Sequence, residues 1–237
     1  MTHDPTPPTP GAARDVFGSS RLGQAEKYAH MLANDGVVRG LIGPREAPRL
    51  WDRHLLNCAV LQEAIPDGAS VCDIGSGAGL PGLVLAIARP DLRITLVEPL
   101  LRRTTFLDEV VAELSLTNVI VRRGRAEDLG EDLGERHSFD VVTSRAVAPL
   151  ERLLGWSMPL VAPNGALVAM KGSSVADEIA ASRATLRKLG CADPEVLVLG
   201  EDSLQHSTHA LRVAWADPSR VGLRPSRAPR PSSRRRR

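Results

Sequence analysis

From Ser70 onward the chain alternates between short β-like runs and helical stretches, and no other feature narrows its choice of fold as far. The runs are Ser70–Ile74, Arg93–Val97, Asn118–Arg122, Phe139–Thr143, Ala166–Met170, Glu195–Leu199 and Ala210–Trp215. Apolar residues at helical spacing fill the intervals at about 81–89, 101–115, 149–161 and 174–189. Strands separated by helices pair in parallel through crossovers, which requires a sheet covered on both faces. The last two runs have no helix between them and are joined by Gly200–Thr208, so an antiparallel hairpin is expected at one end of the sheet. The expectation is an α/β domain with a seven-stranded, mostly parallel sheet.

Four segments follow from composition. Residues 1–13 are rich in Pro and Thr and too poor in apolar groups to offset the entropy of ordering, so disorder is expected there. Residues 14–66 carry apolar residues at helical spacing over 19–42 and 45–65, with His54, Leu55, Cys58, Leu61 and Ile65 near one stripe, and read as a helical N-terminal extension. Residues 67–217 form the α/β domain. Residues 218–237 read as a disordered tail with eight arginines and no acid, so a net charge of +2 for the whole chain divides into +8 there and −6 before it. Any nucleic-acid face on the folded part must therefore be a local patch.

Several function classes are excluded at this level. Aromatic residues make up 3% of the chain, too few for a broad base-stacking platform. Cys58, Cys72 and Cys191 are odd in number and widely spaced, which matches neither a disulfide framework nor a zinc site, so a reducing compartment and no metal are expected. The first ten residues lack the order of a signal peptide, and no apolar run approaches the ~20 residues of a membrane span, so the expected location is the cytoplasm.

The chemistry concentrates in Asp73-Ile-Gly75-Ser-Gly77-Ala-Gly79-Leu80-Pro-Gly82, set between an apolar strand and a helix. Glycine lets the backbone turn tightly and approach a ligand closely, and the helix start offers free N–H groups. Gly77, Gly79 and Gly82 also satisfy the G-x-G-x-x-G pattern of dinucleotide-binding proteins. In those proteins the first glycine follows the strand directly, whereas here Asp73 to Ser76 intervene, and an acid there suits the amino group of a methionine. Glu98 closes the second strand, where an acid can accept ribose hydroxyls. Gly124-Arg-Ala126-Glu127-Asp128 follows the third strand and either meets an adenine or places Asp128 as a helix cap. Thr143-Ser-Arg145-Ala closes the fourth strand, at the edge where open α/β sheets bind ligands; Arg145 either serves the ligands or pairs with Asp140 or Glu98.

Together, Asp52-Arg-His54-Leu-Leu-Asn57, Asp73 to Gly82, Thr95-Leu-Val-Glu98 with Arg102-Arg-Thr-Thr-Phe106-Leu107, Gly124 to Asp128, Ser144-Arg145-Ala146 and Met170-Lys171-Gly172 resemble the 16S ribosomal RNA guanine-N7 methyltransferases, the glucose-inhibited division protein B family. The resemblance spans about residues 20–215. It implies a Rossmann-like class I methyltransferase fold and S-adenosylmethionine as cofactor. It further implies a guanine in the small-subunit decoding-region loop as methyl acceptor, with 16S ribosomal RNA or the small subunit as partner of a monomeric enzyme. By the same resemblance Gly75, Gly77, Gly79 and Leu80 line the methionine and sugar beside Asp73, Glu98 the ribose and Ala126-Glu127 the adenine, with Arg145 beside cofactor and entering base. Lysines are common in the family where Arg102 and Arg103 stand here.

Guanine N7 carries a lone pair and no proton, so methyl transfer to it needs orientation rather than a general base. Arg145 is the expected catalytic residue, its fork holding O6 while N7 stays free. His54 stands on a mixed face that suits either the site or simple packing. A nicotinamide-dependent oxidoreductase shares the glycine loop but has no evident Tyr-Lys or His-acid pair here, Tyr28 being the only tyrosine. A non-catalytic RNA-binding module would have no use for both the glycine loop and Glu98.

Overall fold

The computed structural model describes residues 4–132, 136–145, 148–172, 174–201, 204 and 207–222. Its strands are β1 (Ser70–Ile74), β2 (Arg93–Glu98), β3 (Val119–Arg123), β4 (Phe139–Arg145), β5 (Val161–Lys171), β6 (Glu195–Leu199) and β7 (Thr208–Ala214). They form one sheet in the order β3-β2-β1-β4-β5-β7-β6. The first five pair in parallel; β7 pairs antiparallel with both β5 and β6. The hairpin expected at one end of the sheet is therefore present, with its second strand on the inside.

Strand β5 begins before the expected run. Pro163-Asn164-Gly165 has the composition of a turn, yet it lies within the strand, beside a register shift between Phe139 and Val141 of β4. A Cβ on Gly165 would stand 2.5 Å from the Asp140 carbonyl oxygen, so glycine is what lets the two backbones approach.

Helices cover both faces, and period-2 alternation along the strands separates two cores. On one face Val71, Ile94, Leu96, Val141 and Val168 pack with α1 (Gly11–Met31), α3 (Gly82–Ala88), α4 (Leu101–Glu113) and the helical run Ala47–Ala64. On the other, Cys72, Ile74, Val97, Val142 and Leu167 pack with α5 (Ala126–Asp132), α6 (Leu150–Ser157) and α7 (Val175–Leu189). Helix α5 has no counterpart in the sequence expectation, since its stretch is acidic and holds Gly130.

The N-terminal extension is part of the first core. Tyr28, Leu32, Leu50, Leu55 and Leu61 are fully buried, and α1 is tied to α4 by Lys27–Glu113 (2.6 Å) and by Gln24 Nε2 donating to the Leu114 carbonyl (2.8 Å). Helix α1 starts at Gly11, and residues 4–10 lie along the extension rather than apart from it. Trp51 Nε1 donates to the Pro7 carbonyl (3.3 Å), and Thr9 Oγ1 to Glu26 (2.9 Å). The segment joins the fold because these polar contacts and buried Ala13 and Phe17 hold its end, which its composition does not reveal. The run Ala47–Ala64 is irregular: a 3₁₀ turn, a π turn over Leu50–Leu56, one α turn, α2 (Asn57–Ala59), and a second 3₁₀ turn. π turns are rare and concentrate at functional sites. At the other end of the chain, a 3₁₀ turn at Pro218–Arg220 follows β7, and residues 223–237 of the expected tail lie outside the described residues. Among the described residues no helix is long and apolar enough to cross a membrane.

Candidate active site

Apolar β1 carries Asp73 into the centre of the sheet, where it is fully buried. Its Oδ2 accepts the Gly82 N–H at the start of α3 (3.0 Å), while Oδ1 is buried without a hydrogen-bond partner. Burial pushes the carboxyl up to about 7, although the Gly82 bond and the Arg145 charge pull it down.

The loop after β1 is pinned from two sides. Gly75, at φ 67°, and Ser76 both donate main-chain N–H bonds to the Val97 carbonyl (2.8 and 3.1 Å). Ser76 Oγ donates to the Asp73 carbonyl (2.7 Å) and accepts the Val97 N–H (3.1 Å). From above, the buried Tyr28 hydroxyl of α1 donates to the Ala78 carbonyl (2.7 Å). Gly79, at φ 97°, lies so close beneath that a Cβ would collide with Leu83 and stand 2.9 Å from the Tyr28 hydroxyl. Leu80 is buried in the same core and precedes Pro81 through a cis peptide bond.

Glu98, at the end of β2, is 1% exposed. Its Oε2 accepts the Gly77 N–H (3.0 Å), its Oε1 accepts the Leu100 N–H (3.0 Å), and Arg103 Nη1 lies 3.4 Å from Oε2. The carboxylate thus already organises the loop. A cleft of about 310 Å³ opens beside it, lined by Gly75, Val97, Pro99, Gly124, Ala126, Glu127 and Trp156. Asp128 lies in the first turn of α5, past the cap position. Trp156 is the residue the sequence reading missed: on α6 it fits an ordinary amphipathic stripe, and only the fold brings it against Gly124 and Ala126.

A second cleft of about 750 Å³ lies at the carboxyl ends of β4 and β5, lined by Asn57, Ser144, Arg145, Met170, Lys171 and His209 among others. Lys171 is held by Glu178 of α7 (2.7 Å), and Asn57 donates to Thr208 Oγ1 (2.7 Å). Arg145 connects the two regions: it lines this cleft, and its charge reaches Asp73. It pairs with neither Asp140 nor Glu98. Its Nη2 lies 2.9 Å from His54 Nδ1, and its Nη1 donates to the Arg53 carbonyl (3.3 Å). His54 Nε2 in turn lies 2.9 Å from Glu46 Oε2. Among the described residues no group of three or more His, Cys, Asp or Glu side chains is placed to hold a metal ion.

Dinucleotide-binding folds order six strands 3-2-1-4-5-6. Here an antiparallel strand lies between β5 and β6, and the arrangement is that of class I S-adenosylmethionine-dependent methyltransferases rather than of the oxidoreductase alternative. The fold is similar to that of M. jannaschii TYW2, solved in complex with AdoMet, with a TM-score of 0.52, 17% identity, and 70% of this chain and 76% of that chain covered. It is also similar to a transferase from Pyrococcus horikoshii, at a TM-score of 0.52 and 14% identity over 67% of this chain and 62% of that one.

Residues 21–207 match the GidB family, described as rRNA small subunit methyltransferase G, and the chain belongs to that family. It is 66% identical over 225 residues to the ribosomal RNA small subunit methyltransferase G of a Nocardioides species, covering 95% of this chain and 88% of that one. To its counterpart in Streptomyces coelicolor it is 55% identical over 207 residues, covering 87% and 85%.

Proposed function

We propose that this chain transfers a methyl group from S-adenosylmethionine to N7 of a guanine in 16S ribosomal RNA of the small subunit. The observation that carries the reading is the position of Arg145, between the buried acid of the glycine loop and the large cleft at the ends of β4 and β5. Family membership and the names of the relatives support the substrate class.

The residues present fit the cofactor. Asp73 Oδ1 is a buried acceptor with no partner, and a cationic amino group beside it would restore the charged carboxylate that burial disfavours. Gly75, Gly77 and Gly79 supply main chain without side-chain bulk, and Glu98 keeps a lone pair on Oε1 for the ribose, Oε2 being taken by Gly77 and Arg103. Ala126 and Glu127, with Trp156 across the cleft, would take the adenine. Leu80 acts as a packed support for the loop. When bound, the cofactor supplies a methyl group on a sulfonium sulfur, a donor that needs no prior activation.

The chain's own task is then to orient and to exclude water. Guanine N7 attacks with its lone pair, so no proton is removed beforehand. Arg145 donates to O6 of the base with one arm of its fork and leaves N7 exposed. His209, exposed at the cleft rim, stands where a flanking phosphate would pass, while Lys171 is engaged by Glu178. Orientation of this kind accounts for up to about 7–11 kcal/mol of a barrier in favourable cases. An unpaired loop guanine is the form that such a cleft accepts, because a paired base must first be extruded.

The test is incubation with radiolabelled S-adenosylmethionine and either free 16S ribosomal RNA or small subunits lacking the modification, followed by mapping of the label. Label on N7 of one guanine is expected. Label on another atom or on no RNA overturns the reading.

A further inference from the structure

Arg145 is held from behind by a chain of three groups that take no direct part in methyl transfer. Its Nη2 meets His54 Nδ1 at 2.9 Å, and His54 Nε2 meets Glu46 Oε2 at 2.9 Å. Glu46 is itself fixed by Arg53 Nη1 at 3.0 Å, and the Arg53 carbonyl accepts from Arg145 Nη1 at 3.3 Å. His54 and Arg53 both stand in the π turn Leu50–Leu56, which sets a side chain and a main-chain carbonyl toward the same guanidinium.

A guanidinium only donates hydrogen bonds, so the contact at 2.9 Å requires a lone pair on His54 Nδ1. The ring proton then sits on Nε2, where Glu46 accepts it. Both ends of the imidazole are thus specified: neutral, with the proton on the Glu46 side. Protonation would place an N–H on Nδ1, opposite the N–H of Arg145, and the tether would fail.

We propose that His54 and Glu46 are positioning residues, which hold the Arg145 guanidinium toward the acceptor base through a neutral imidazole. The proposal rests on the reading that Arg145 meets that base. The charged groups facing His54 are Glu46 from the preceding loop, Arg53 from its own turn and Arg145 from β4. Behind Arg145 stand Asp73, Cys58 and Tyr28, whose titrations its charge influences. Burial, then the Arg145 charge, lowers the His54 pKa below the ordinary imidazole value, against the pull of Glu46. The tether therefore holds at neutral pH and opens only as the pH falls below the ordinary imidazole range.

The experiment measures methyl transfer to small subunits lacking the modification, at saturating S-adenosylmethionine, as a function of pH, with cofactor affinity and thermal melting recorded beside it. Variant His54→Ala is expected to lose tenfold or more in kcat while cofactor affinity stays within twofold. His54→Asn, whose side-chain oxygen replaces Nδ1 as acceptor but takes up no proton, is expected to recover most of that loss and to lack the acid limb of the kcat profile. Glu46→Gln is expected to shift that limb to lower pH, because the carboxylate that favours the imidazolium is gone. A kcat for His54→Ala equal to the parent's overturns the proposal, as does an acid limb that survives unchanged in His54→Asn. Should His54→Ala lose melting temperature, His54→Asn and Glu46→Gln still decide through their pH profiles. Arg145→Ala separates the two levels: if it turns over fully, the Arg145 assignment itself fails, whereas an inactive Arg145→Ala beside a fully active His54→Ala rejects the tether alone.

Discussion

Glu98 Oε2 accepts the main-chain N–H of Gly77 at 3.0 Å, so the acid that ends β2 also shapes the loop that follows β1. The two functions cannot be separated by mutation at one atom. Glu98→Ala removes the bonds to Gly77 and Leu100 together with the proposed ribose acceptor, leaving two N–H groups to find other partners. Cofactor affinity is expected to fall by about 1–3 kcal/mol, roughly 5- to 150-fold in Kd, from the loss of charge-assisted hydrogen bonds. Titration calorimetry showing parental affinity would place the ribose elsewhere.

The glycines of the loop divide into two kinds, and substitution should tell them apart. A Cβ on Gly82 would collide with Leu96 and stand 2.7 Å from Asp73 Oδ2, so Gly82→Ala forces the core to yield and is expected to cost about 1–3 kcal/mol of stability. At Gly77, φ is 59° and the nearest atom to a Cβ is the Gly75 carbonyl oxygen at 3.8 Å. Gly77→Val is expected to fold with a backbone penalty of about 1–2 kcal/mol and to lose cofactor binding, since its side chain fills the space reserved for the ligand. Melting curves with and without S-adenosylmethionine check both: the reverse pattern, Gly77→Val unable to fold and Gly82→Ala unaffected, would reject this division.

What the sequence made legible and what it hid follow one physical line. Strands β1 and β2 are largely buried on both faces and so read as short, mostly apolar runs, and the loop between β1 and α3 announces itself because positive φ demands glycine. Asp73, Glu98 and Arg145 stand out as residues at or near strand ends, a purely local signal. The partners that give them their properties come from far along the chain. Tyr28 lies 50 residues from the Ala78 carbonyl it holds, and His54 lies 91 residues from Arg145. Neither pairing leaves a periodic trace. Strand β5 looks shorter in the sequence than it is because Pro163-Asn164-Gly165 carries turn chemistry, whereas the fold uses Gly165 for close approach to β4.

Asp73 predicts a pH dependence with a definite sign. Its carboxyl rises from 3.8 to about 7 in the folded protein, chiefly through burial, so the folded state keeps a proton that the unfolded chain has released. This contribution to stability is complete below about pH 4 and is lost as the pH rises through 7. The melting temperature without cofactor is therefore expected to decline between about pH 4 and 7 by an amount that Asp73→Asn abolishes. Affinity for S-adenosylmethionine should rise over the same interval, because the ionised carboxylate is the form that pairs with an ammonium. A pH-independent affinity in the parent protein would remove Asp73 from the cofactor site.

Residues 223–237 carry seven arginines and no acid. Arg220, just before them, already pairs with Asp217 at 3.1 Å, so truncation is best placed after Gly222, sparing the turn that packs beside β5. The residues in front of the tail are acidic overall, and a dense cation adjoining them attracts RNA through phosphate neutralisation, an effect that must weaken as salt rises. Each neutralised phosphate on a single strand contributes about 0.7 to the slope of log affinity against log salt, so seven arginines account for at most about 5. Removing residues 223–237 is expected to leave cofactor affinity and the methylated nucleotide unchanged, to weaken RNA binding at low salt, and to flatten the salt dependence by some part of that amount. An unchanged slope would mean that the arginines contact no phosphate. A change in the nucleotide modified would move specificity out of the cleft beside Arg145 and into the tail.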